Sequence, residues 1–310
     1  MDRAISIERS PWKWVVLMVI ALVACRKDVE VVEDNQAPNY EGIPSVVVRN
    51  YVNRLFIDLI GREPLDVEMD ADVNELESNG LSSAARAALV DRLMTSTDYI
   101  QGDSSYRNAY YQRQYELYKA RCLEGASDAV IDQYIGMAQL SALADSLAGN
   151  TASAQQAQAR VQRLVDLRSS RIEYREGVIG INEVFRRVIY NDIFDEINMG
   201  SFNFVNATFD NLFLRYPSTS EFNAGYNMVE HSQPDILFGM SGQSKSDYVD
   251  IVVSSIEFHE GMIDWCYLTF QGRLPDSYET YELLGPFLSD KDLQKVQRHI
   301  LTSDEYANFD

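Results

Sequence analysis

One arrangement of residues occurs three times in this chain, and that recurrence constrains the fold more than any other feature. Phe56, Gly61, Arg62, Pro64 and Glu68 align with Phe209, Leu214, Arg215, Pro217 and Glu221, and again with Tyr267, Gly272, Arg273, Pro275 and Glu279. Each copy also closes on a similar run: Thr95-Ser96-Thr97-Asp98-Tyr99, Ser254-Ser255-Ile256-Glu257-Phe258 and Thr302-Ser303-Asp304-Glu305-Tyr306. A single identity arises by chance about one time in twenty, so ordered matches at both ends of three segments are an internal repeat.

The residue types dictate the shape of each copy. Val52, Leu55, Phe56, Leu59 and Ile60 fall at helical spacing and predict an amphipathic first helix. Gly61 and Gly272 stand where a helix ends in a left-handed residue. Leu214 takes that place in the second copy, so its turn either differs or carries strain. The proline two residues beyond each arginine stops the helix and forces extended backbone before it. Ser218 to Glu221 and Asp276 to Glu279 are capping boxes for the next helix; in the first copy Leu65 interrupts that signal and Asp66 is the expected cap. A last helix follows, with Leu89, Leu93 and Met94 on one face, and the closing Tyr or Phe is expected to pack back on the unit. The pattern predicts a helix–turn–helix–loop–helix unit of about fifty residues.

From about Ser105 to Asn198 the chain departs from the repeat. Helices are expected near 105–122, 127–147, 152–177 and 181–197, with Gly149-Asn150-Thr151 turning the second into the third as an antiparallel hairpin. Leu140, Leu143 and Leu147 are expected to face Val161, Leu164, Val165 and Leu167 across it. Tyr111, Tyr115 and Tyr118 form a stripe at i, i+4 and i+7, which either stacks on sugars or packs half-buried with wet hydroxyls. Arg160, Arg163, Arg168, Arg171 and Arg175 form the one basic concentration in an acidic chain. It is a docking face for a partner or anionic glycan, or a helix face paired with local carboxylates.

At the Gly-Arg-x-Pro turns and the closing runs, the chain resembles a bacterial family of unknown function, helical and related to the phycobilisome-linker domain. The resemblance covers about half of the chain beyond the N-terminal segment. It implies an extracytoplasmic structural or binding module and brings no catalytic residues. The departures are Leu214 for glycine, the closing run without proline, and the long insertion after the first copy.

The N-terminus adds an address. Arg3, Arg9 and Lys13 precede an apolar run from Trp14 to Ala24, about eleven residues long. That is the length of an export signal and short of the roughly twenty that span a bilayer. The run ends in Leu22-Val23-Ala24-Cys25, which resembles the lipobox of bacterial lipoproteins and implies a diacylglyceryl thioether on Cys25. Three acyl chains exceed what stable anchoring needs. Arg26 after the cysteine points to the outer membrane, and Lys27-Asp28-Val29-Glu30 is similar to a cell-surface sorting tag. Residues 25–44 are polar and acidic and are expected to be a flexible tether, reaching roughly 65 Å when taut.

The sequence thus divides into a signal over 1–24, a tether over 25–44, repeats over 45–102, 199–258 and 259–310, and a helical insertion over 103–198. The fold class is all-α and multi-helical. Cys122 and Cys266 either pair as a disulfide or sit buried as small hydrophobes. A formal charge of −20 repels nucleic acid and excludes it as a partner.

Chemistry is thinly represented. His231, His259 and His299 are scattered, and His259-Glu260 lacks the second histidine of a zinc-protease helix. Gly239-Met240-Ser241-Gly242 lacks the spacing of a nucleophile elbow. Asp70, Asp72 and Asn74 begin like a calcium loop that Glu75 and Leu81 then break. No catalytic residue, metal or cofactor is assigned. The reading is a non-enzymatic, lipid-anchored envelope protein serving as an interaction or scaffold subunit beside an envelope partner. A glycan-binding lipoprotein for nutrient capture, or an enzyme with an unfamiliar site, is the alternative.

Overall fold

The computed structural model describes residues 40–309, and they are mostly helical. Cys25, the signal and residues 25–39 of the tether lie outside the described residues. Tyr40 already belongs to the body, earlier than the expected boundary at 44: its hydroxyl donates to Asp304 at 2.7 Å and its ring lies against Phe309.

The first unit comprises α1 (Ser45–Leu55), which closes in a π-helical turn over Phe56–Ile60, then α2 (Asp66–Ser78) and α3 (Ser83–Thr95). All five apolar residues expected on the inner face of the first helix are buried, as are Leu89, Leu93 and Met94. The N-cap of α2 is Leu65, not Asp66; the cap succeeds without a polar side chain because Glu68 accepts the Leu65 N–H at 2.7 Å.

The insertion holds α4 (Tyr106–Cys122), α5 (Asp128–Leu147), α6 (Thr151–Arg175), α7 (Ile181–Ile189) and α8 (Asp192–Ile197). The expected helix over 181–197 breaks in two. Asn191, buried, caps α8 by accepting from the Ile193 and Phe194 N–H groups while its amide donates back to Arg187 and Val188 carbonyls. One side chain closes one helix and opens the next.

The second unit comprises α9 (Ser201–Phe213), α10 (Thr219–His231), β1 (Asp235–Leu237), β2 (Met240–Gly242) and α11 (Lys245–Ser254). The small antiparallel hairpin was not foreseen. Its two turn residues, Phe238 and Gly239, both adopt positive φ, which matches the twist of paired strands. The third unit comprises α12 (Ile256–Gln271), α13 (Ser277–Asp290) and α14 (Leu293–Leu301), followed by the short α15 (Asp304–Ala307).

The units close on one another. Tyr51 donates to the Leu301 carbonyl, Arg54 to the carbonyls of Phe270 and Tyr306, and the Tyr306 hydroxyl to Asp58 at 2.7 Å. The last turn of the chain is thereby fastened to the first helix of the body. The insertion is fastened to the third unit by a buried relay: Tyr110 donates to Gln297, and Gln297 to Gln114 at 2.8 Å. Cys122 and Cys266 are both buried free thiols, pushed up to about 12 by that burial, so they behave as small hydrophobes.

The hairpin of α5 and α6 differs most from expectation. Val161, Leu164 and Leu167 are buried, but Val165 is exposed and Leu140, Leu143 and Leu147 point to solvent. Ile131 and Ala138 fill the seam instead, and the half of α6 nearer the body packs on α4 and α7. The sequence offers two apolar faces on α5, and the small one is inside.

Two glycines separate backbone geometry from packing. Gly261 lies where α12 crosses the end of α9, and a Cβ there would overlap the Leu212 carbonyl oxygen. Gly272 ends α12 in the left-handed region with open space around it. Gly261→Ala is therefore expected to cost about 3 kcal/mol or more, and Gly272→Ala about 1 kcal/mol, both read from urea denaturation midpoints.

Candidate functional site

The recurring arginines build the same knot in three places. In the first, Arg62 grips both oxygens of Glu68 at 2.7 and 2.9 Å, the Glu63 carbonyl at 2.9 Å and Asp103 at 2.9 Å. In the second, Arg215 grips Glu221 at 2.7 and 3.0 Å, the Tyr216 carbonyl at 3.0 Å and both oxygens of Glu257. In the third, Arg273 grips Glu279 at 2.6 and 2.7 Å, the Leu274 carbonyl at 3.0 Å and both oxygens of Glu305. Each guanidinium also lies over the aromatic six residues before it, Phe56, Phe209 or Tyr267, at 5.1 to 5.5 Å.

Spacing explains the geometry. The left-handed residue before each arginine swings the chain off the first helix; Leu214 adopts it with φ of 56°, so the turn is the same and the strain is borne. The proline then sets the next helix so that the glutamate at its third position returns to the arginine. That glutamate also accepts the N–H of Leu65, Ser218 or Asp276, each at 2.7 Å. One carboxylate caps a helix and neutralises a guanidinium at once. An isolated exposed ion pair contributes about 0–1 kcal/mol; bidentate grip, two acids and a ring beneath raise each knot above that range.

The closing runs supply the second acid in two copies only. Glu257 and Glu305 follow Ser255 and Ser303, which cap α12 and α15, and Phe258 and Tyr306 are buried. In the first copy the aligned Thr95–Tyr99 does none of this: Tyr99 is largely exposed, Asp103 provides the carboxylate and Ser105 caps α4. Sequence similarity misplaced that end because the insertion begins there and shifts the cap.

The other sequence candidates are spent internally. Tyr115 and Tyr118 are fully buried, Tyr115 donating to the Leu167 carbonyl and Tyr118 packed between Phe185 and Trp265. Tyr111 is half-buried against Tyr110 and Tyr174. They are core, not a sugar platform. Arg160 and Arg163 share Asp192, Arg168 bridges Asp128 and Asp132, Arg171 donates to Gln112, and Arg175 holds Asn108 and Glu176. The basic concentration pins α6 to its neighbours rather than offering a free patch. Asp72, from the calcium-like segment, pairs with Arg92, and His259 is buried against Phe258 and Phe287 with its Nδ1 2.9 Å from the Ser255 carbonyl oxygen.

A groove of about 460 Å³ opens beside α9, lined by Asn198, Phe202, Asn203, Asn206, Asp210 and Tyr216. Phe202 and Tyr216 are 61% and 72% exposed. Phe202 is braced by Phe222 at 5.0 Å, and Phe222 by Tyr226. The amides of Asn203 and Asn206 donate to the backbone four residues before them, to the Met199 and Phe202 carbonyls, leaving their oxygens to accept. Aromatic faces beside amide and carboxylate acceptors suit a polar ligand with apolar faces. The signal was present in sequence as Phe202, Asn206 and Asp210 at i, i+4 and i+8, off the apolar face of α9.

Comparison with protein-family models, with curated proteins and with solved structures finds no match to this chain.

The knots carry a pH signature. Arg215 and the Ser218 cap hold the Glu221 carboxyl down to about 2 from its ordinary 4.5; Arg273 lowers Glu279 and Glu305 likewise. Burial opposes the same shift at Glu68, and its bonds to Arg62, the Leu65 N–H and Tyr106 prevail. A carboxyl depressed in the folded state adds stability above its unfolded value, and that stability is lost as pH falls through the folded value. The urea midpoint of wild type is expected to drop between about pH 4.5 and 2 more steeply than that of Arg215→Gln. Superimposable acid limbs would refute the assignment.

Proposed function

We propose that this chain is a non-enzymatic, lipid-anchored envelope protein whose helical body serves as an interaction scaffold. The observation that carries the reading is where charge and apolar surface are placed. The recurring arginines and glutamates are consumed in knots that fasten helix to helix, while the nearly uncharged, leucine-bearing end of the α5–α6 hairpin is left at the surface. A body so built is suited to holding shape and being docked upon. The lipobox resemblance at Cys25 supplies the anchor, and no described helix is long and apolar enough to cross a membrane. Labelled palmitate is expected to enter wild type and not Cys25→Ser, and only wild type should sediment with membranes. An unlabelled wild-type chain would end the lipoprotein reading.

The groove beside α9 favours a second reading, capture of a saccharide between Phe202 and Tyr216. Affinity electrophoresis against a panel of neutral polysaccharides is expected to retard wild type and to lose the retardation in Tyr216→Ala. No retardation on any member of the panel dismisses it.

A further inference from the structure

The hairpin carries a surface that the fold does not use. From Gln133 to Ala159 the chain has one charged residue, Asp145, in a protein of formal charge −20. Because Ile131 and Ala138 fill the seam with α6, the opposite face of α5 is turned outward. On it stand Val130, Met137, Leu140, Ala144 and Leu147, spaced by sevens and alternating threes and fours, as in a coiled-coil seam. Leu140, Leu143 and Leu147 are 68%, 56% and 80% exposed. Beside this ridge lies a groove of about 440 Å³ between the two helices, where Ala142, Ser146 and Ala154 stand among Leu143 and the uncharged amides of Gln139, Gln155 and Gln158.

We propose that this face docks a second copy of the chain, the two hairpins pairing about a two-fold axis. A two-fold contact needs a patch complementary to itself, and here ridge and groove lie side by side on one hairpin. The leucines of one copy lie in the uncharged groove of the other, against its alanines and the stems of its glutamines. Charge selects the same face: two strongly acidic bodies repel, and they meet at least cost through the stretch that carries almost no charge. Asp145 is partly covered and off the ridge. A lipid surface fits poorly, since the face has no Lys or Arg to meet anionic headgroups and the body is repelled by them. A cationic partner would choose the acidic surface instead. The contact resembles the cores of protein interfaces, where charge is depleted.

This deepens the scaffold reading by naming the partner, and rests on it. The full-length chain in mild detergent is expected to show twice the chain mass by sedimentation equilibrium. The double substitution Leu140→Lys with Leu147→Lys is expected to weaken association by at least about a hundredfold, because it removes four central apolar anchors from a two-fold contact. Unchanged circular dichroism and melting will show that the variant folds, as both side chains are exposed. Independently, Ala144→Cys is expected to form a disulfide between copies under mild oxidant, above the background of the parent, whose Cys122 and Cys266 are buried and whose Cys25 sulfur is taken up by lipid on the scaffold reading. A monomeric wild type, or a dimer indifferent to the lysines, overturns the proposal. If wild type is monomeric and the lysine variant instead loses binding to anionic vesicles, a lipid surface occupies the face and self-association falls. If it loses a co-purifying envelope protein, self-association also falls while the scaffold reading stands.

Discussion

Everything in this fold depends on a guanidinium shared between two carboxylates above an aromatic ring. The arginine sits just after a helix has been forced to stop, at a point where the chain could leave in many directions. Its five donors form a planar fork that meets a carboxylate in one orientation, so it fixes the exit angle. The glutamate it grips is simultaneously the N-terminal cap of the next helix, which couples the angle of the turn to the start of the element beyond it. The second acid arrives from the end of the unit or, in the first copy, from Asp103. Three such knots convert helices of modest length into a single framework.

The framework is closed rather than open-ended. In a linear array of repeats the last unit leaves an apolar face uncovered. Here the closing turn of the third unit lies on the first helix of the body, and Tyr51, Arg54, Asp58 and Tyr306 join them by hydrogen bonds. The insertion begins where a following unit's first helix would stand: α4, capped by Ser105, packs on the π-helical end of α1, as α12, capped by Ser255, packs on α9. From there the chain runs into a hairpin whose base packs on α4 and α7 while the outer face of α5 stands in solvent. That freedom lets its outer face differ so sharply from the acidic surface elsewhere, and it is why the proposed function turns on docking rather than on chemistry.

The functional candidates named from sequence illustrate how a periodic pattern misleads. Tyrosines at i, i+4 and i+7 share a face whether that face meets sugar or core, and Tyr115 and Tyr118 meet core. Arginines clustered on α6 look like a patch until Asp128, Asp132 and Asp192, remote in sequence, are folded against them. The groove beside α9 is only half legible in sequence, for the converse reason. Tyr216 reaches it from beyond the turn, and only the knot at Arg215 sets that turn's direction.

The sequence by itself determined most of the helices and the triplicated turn, because these rest on spacing within a dozen residues: an aromatic six before an arginine, a proline two after, a glutamate six after. It also determined that Leu214 stands in a glycine's place. Only the tertiary structure decided which face of α5 is inside, that Asn191 divides a helix, that Cys122 and Cys266 stay apart as thiols, and that the end of the chain meets its beginning. Those outcomes depend on which distant surface supplies the better fit for an apolar face. Local spacing carries no term for that competition.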